Sequence, residues 1–80
     1  MANDLLHIWK ERIQKESKHG DKKKAYQKAS VSETTYDNAM KRETIDDLTD
    51  SEFEVLSQHI VVLDERKQKR ENRIKQHTNG

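Results

Sequence analysis

The chain has no proline, and its only glycines are Gly20 and the last residue, Gly80. These two residue types interrupt helices, proline because it lacks an amide donor and glycine because it loses the most backbone freedom on ordering. What remains is rich in Lys, Glu, Gln and Arg, which lose little in a helix. No stretch shows the alternation of a half-buried strand. The expected fold class is all-α, a small bundle of about four helices with a long C-terminal helix. Its size is limited by apolar supply. Val, Ile, Leu and Phe number 15 of 80 residues, close to the level at which disorder becomes the rule. Disorder also calls for unbalanced charge, whereas 16 basic side chains face 15 acidic ones here. The expectation is one domain over residues 1–76 with a thin core and long solvated faces, followed by a polar tail at 77–80.

Several function classes fall away early. There is no cysteine, so disulfides, Cys-ligated zinc and thiol chemistry are excluded. His7, His19, His59 and His77 lack metal-ligand spacing, and no metal site or cofactor is expected. No glycine-rich loop exists to cradle a phosphate. So small a chain offers little pocket to desolvate a nucleophile, so neither an enzyme nor a small-molecule substrate is expected. The longest apolar run is Ile60-Val61-Val62-Leu63, against the roughly 20 residues of a membrane span. Leu5-Leu6-His7-Ile8-Trp9 is interrupted by His7 and is no secretory segment. A soluble cytoplasmic protein without membrane contact is expected.

Helix ends are marked in the sequence. Asn3 or Asp4 suits the N-cap of a first helix over about 4–18, with Leu5, Leu6, Ile8, Trp9 and Ile13 on its apolar side. Gly20 suits the left-handed position after that helix, and Asp21 can open a second over about 21–29. Ser32 reads as the cap of a third, over about 33–42, with Val31 and Tyr36 placed as a hydrophobic staple. Thr49-Asp50-Ser51-Glu52 is a full capping box, with Leu48 and Phe53 as its staple, opening a fourth helix over about 50–76.

Only Ala29-Ser30-Val31 separates the second and third helices, which forces a sharp turn. From Ala25 to Ala39 the segment Ala-Tyr-Gln-Lys-Ala-Ser-Val-Ser-Glu-Thr-Thr-Tyr-Asp-Asn-Ala resembles the helix-turn-helix of small phage and bacterial transcriptional regulators. The likeness lies in Val31-Ser32, Thr35-Tyr36 and Ala39, and spans about 20 residues. The family usually has Gly at the turn, where this chain has Ser30, and Ala at the close helix crossing, where it has Tyr26. The resemblance implies double-stranded DNA as partner, with the third helix in the major groove. Ser32, Glu33, Thr34, Asp37, Asn38 and Lys41 would then face outward, and Tyr36, Ala39 and Met40 inward. Asn38 can pair with adenine and Glu33 with cytosine. Lys41, Arg42 and the Lys22-Lys23-Lys24 run would reach phosphates.

Charge is segregated along the chain. Residues 15–28 carry six lysines and two acids, 43–54 six acids and no base, and 66–75 six bases and one acid. Basic stretches of this kind suit phosphate contacts. They equally suit solvated helix ends, where base complements the dipole.

The fourth helix carries two apolar stripes. Phe53, Leu56, Ile60 and Leu63 fall within about 80° of one another and are expected to close the core. Val55 and Val62, with His59 between the sets, form a second stripe. It is read as a homodimer interface that would set two recognition helices about 34 Å apart. Lys67 and Arg70 end the heptad spacing, which argues against a long coiled coil. The expected function is a sequence-specific DNA-binding transcriptional regulator that acts by occupying an operator. The alternative is a helical protein–protein interaction module, an inhibitor or adaptor without DNA binding.

Overall fold

The computed structural model describes the backbone of residues 2–79 and the side chains of 5–75. Four α-helices follow one another: α1 (Ala2–Glu16), α2 (Asp21–Lys28), α3 (Glu33–Lys41) and α4 (Asp50–Asn79), with a 3-10 turn at Ile45–Asp47 before α4. There is no strand among the described residues. The all-α expectation holds. The 30 residues of α4 rise about 45 Å, which accounts for the 48 Å long axis. The Asn3 and Asp4 side chains, expected to cap α1, and those of the expected tail lie outside the described residues, and the α4 backbone continues to Asn79.

α4 is the central element. On one side α1 meets it through Trp9 against Phe53, with ring centroids 5.4 Å apart, and through Arg12 to Asp64 at 2.8 Å. On another side α2 and α3 meet it through Asp21 to Arg66 and Tyr36 to His59. Apart from Phe53, both stripes of α4 are therefore core. Val55, Leu56, Ile60, Val62 and Leu63 are buried, and His59 is 1% exposed. This corrects the reading of Val55, His59 and Val62 as a dimer interface. A helix flanked on two sides needs two apolar faces, and the chain itself covers both.

The apolar face of α1 is also narrower than expected. Leu6 and Ile13 are buried and Trp9 half-buried, but Leu5 and Ile8 are exposed, as is Phe53. α1 rests on α4 along one line only, so side chains flanking that line stay in water.

Gly20 is left-handed, φ +92, but it stands at the N-cap of α2, because α1 ends at Glu16. Asp21 caps backward. Its carboxylate accepts the Lys18 N–H at 2.8 Å, while the Asp21 N–H donates to the Lys18 carbonyl at 3.1 Å. The capping box forms as read: Glu52 N–H to Thr49 Oγ1 at 3.2 Å and Thr49 N–H to Glu52 Oε1 at 3.0 Å.

Candidate nucleic-acid interface

The α2–α3 turn is closed by its own backbone. The Val31 N–H donates to the Tyr26 carbonyl and the Ser30 N–H to the Gln27 carbonyl, at 3.0 and 3.1 Å. Together they form a Schellman closure, which requires a left-handed residue at Ser30. Ser30 has φ +58, the one non-glycine with positive φ among the described residues. The Ser32 hydroxyl then accepts the Thr35 N–H at 3.3 Å and starts α3. Tyr36 and Ala39 are buried, while Val31 and Met40 pack on the same core. At the helix crossing the fully buried residue is Ala25 rather than Tyr26, which lies half-buried at the core's edge.

On the outward face of α3, Ser32, Glu33, Thr34, Asn38 and Lys41 are exposed and Asp37 is half-buried. Lys22 crosses from α2 to lie 2.8 Å from Asp37 and 3.6 Å from Glu33, its ammonium 5.4 Å from the Tyr36 ring centroid. The hydrogen bond with Asp37 leads in raising its pKa. Lys22 therefore offsets one of the two acidic charges that α3 presents. Arg42 is likewise engaged. Its guanidinium forks onto Glu52 at 3.0 and 3.2 Å, and its carbonyl accepts from Lys10. Both cations expected at phosphates are thus paired with carboxylates of their own chain, while their side chains stay about two-fifths exposed. Lys23, Lys24 and Lys41 remain exposed.

Behind α3 lies a polar relay that the sequence did not announce. Buried His59 lies between the Tyr36 hydroxyl, 2.8 Å from Nδ1, and the Ser17 hydroxyl, 2.7 Å from Nε2. Burial lowers the His59 pKa and pushes that of Tyr36 up to about 12. Asp21, 2% exposed, accepts from Arg66. Burial alone would raise its pKa, but the bonds from Arg66 and the Lys18 N–H hold it below the usual range. Neither relationship had a signal in local spacing, since 42 and 45 residues separate the partners.

Among the described residues no group of three or more His, Asp or Glu side chains is placed to hold a metal ion, and no helix is long and apolar enough to cross a membrane. The geometry defines a small all-α bundle with a tight α2–α3 turn. No protein-family model, curated protein or solved structure matches the chain.

Proposed function

We propose that the protein is a sequence-specific DNA-binding regulator that acts without catalysis, by occupying an operator with α3 in the major groove. The observation that carries this is the α2–α3 turn. Its left-handed Ser30 and Schellman closure set α3 at the bundle surface with Asn38, Thr34 and Lys41 in solvent. Asn38 has the donor and acceptor to read adenine, and Lys41 the charge for a phosphate. The Lys22 bridge supports the reading by offsetting part of the repulsion that Glu33 and Asp37 would exert on a duplex.

The test is fluorescence anisotropy on duplexes selected from a random pool. Asn38→Ala should cost about 1–3 kcal/mol on the selected site and relax its sequence preference. Lys41→Ala should weaken all sequences alike and reduce the salt slope by about one. If both variants bind as the parent does, the assignment of α3 is wrong.

A second reading, a protein–protein interaction module, is favoured by the exposed Leu5, Ile8 and Phe53 beside half-buried Trp9. Such an apolar face is the usual mark of a partner surface. Under this reading a stoichiometric protein complex forms that Ile8→Glu breaks and added DNA leaves unchanged.

A further inference from the structure

On a helix at 100° per residue, Val55, His59, Val62, Arg66, Lys69 and Arg73 share one face of α4, roughly 80° wide. The first three are buried beneath α2 and α3, while Lys69 and Arg73 are exposed. The same face turns from apolar to basic where α4 leaves the bundle. α2 and Lys18, in the turn before it, form the facing wall. Lys24 and Lys28 line one depression with Arg66 and Lys69, while Lys18 lines the next with Arg66, Lys69, Arg70 and Arg73. A third depression, lined by Glu16, Lys18 and Arg70 among others, also opens at Arg66. The three depressions meet at Arg66 and make up a trough with bases on both walls.

The acids in the trough are each matched. Asp21 is held by Arg66, Glu65 lies 3.7 Å from Lys28, and Glu16 is bonded to Arg12. Lys18, Lys24, Lys69, Arg70 and Arg73 are left facing solvent. From Arg66 to Arg73 the helix rises about 10.5 Å, the axial length of about three phosphates on one strand. A concave surface walled by cations suits a rod-shaped polyanion. A flat membrane would meet only the rim of such a trough.

We propose that this trough is a second DNA contact, a clamp for the phosphates of one strand beside the site read by α3, and it rests on the reading of the protein as a DNA binder. Lys69, Arg70 and Arg73 supply one wall and Lys24 the other. Its cations meet phosphates, which carry no sequence information, so it adds chiefly affinity and orientation.

The experiment uses the full chain, comparing the parent with Lys69→Gln/Arg70→Gln/Arg73→Gln and with Lys24→Gln. Each is titrated with a selected duplex and a random-sequence duplex between 50 and 200 mM salt. The substituted residues are exposed and outside the core, so unchanged helicity and Tm are expected. The triple variant should lose affinity for both duplexes by roughly tenfold or more, and its salt slope should fall by about 2.7. Across that salt range the parent's affinity should then drop roughly 40-fold more than the variant's. Lys24→Gln should lower the slope by about one. Sequence preference should survive in both. Parent-like affinity and slope in the triple variant would overturn the clamp, as would trough-dependent binding to phosphatidylserine vesicles with none to the duplexes. If the trough variants lose affinity while Asn38→Ala leaves preference untouched, the α3 assignment fails and the clamp stands.

Discussion

The Tyr36 hydroxyl lies 2.8 Å from Nδ1 of His59, so a buried histidine of α4 holds the underside of the helix that presents Asn38. The imidazole is committed at both nitrogens, with the Ser17 hydroxyl 2.7 Å from Nε2. One nitrogen of a neutral ring donates and the other accepts, and the two hydroxyls can serve either role.

This relay makes stability depend on pH. Burial lowers the His59 pKa below 6.5, with the Asp21 charge only partly opposing it. As pH falls, the unfolded chain takes up the proton first. The contribution is complete above about pH 6.5 and is lost as pH drops toward the folded value, by at most about 1.4 kcal/mol per pH unit. Thermal melts should give a lower Tm at pH 5.5 than at 7.5. His59→Gln should be less stable at pH 7.5 but lose less on acidification. A parent Tm that is flat across this range would contradict the account. The lowered carboxyls, Asp21 and Glu52, act at lower pH, where their stabilisation is lost in acid.

A second prediction concerns the turn. A left-handed backbone costs an L-residue roughly 1–2 kcal/mol, and glycine avoids that penalty at some entropic cost. Ser30→Gly should stabilise the chain by about 0.5–1 kcal/mol, a Tm rise of roughly 2–8 °C for a domain of this size. Ser30→Val should destabilise it by about 1–3 kcal/mol. Denaturant melts that rank serine above glycine would show that its side chain stabilises the turn in a way the backbone geometry does not explain.

The third concerns Lys22. If it acts by compensating Glu33 and Asp37, Lys22→Gln should weaken DNA binding about two- to fivefold, the scale of an exposed ion pair. In a Glu33→Gln/Asp37→Asn background the same change should have almost no effect. An equal loss in both backgrounds would make Lys22 a direct phosphate contact, as a double-mutant cycle can decide.

What was legible in the chain was what is local. Ser32 and the Thr49–Glu52 box announced two helix starts because a cap and its partner lie three residues apart. Ser30 was placed at the turn by the short connection between α2 and α3 and by the helix-turn-helix resemblance. The two stripes of α4 were visible, but their use was not. Which helix covers a face depends on how α1 returns along α4, and no periodicity records that. The engagement of Lys22 and Arg42 was hidden likewise, since a lysine run looks the same whether its charges meet a ligand or a neighbouring helix. The apolar residues Leu5 and Ile8 followed helical spacing and yet stayed in water, because spacing assigns a face without showing that anything covers it.

α4 passes from the core into the trough wall without a break. Starting a helix is its costly step, and extending one adds a hydrogen bond for each residue fixed. The wall over 67–75 inherits its first turn from the buried segment below, so it needs no nucleus of its own. Its residues are all exposed, so burial adds little to the amide bonds that hold it together. Amide exchange along α4 should therefore quicken in steps past Arg66 in the free protein. A bound duplex should slow it most at the far end, which would make the winding and unwinding of the last turns a readout of occupancy.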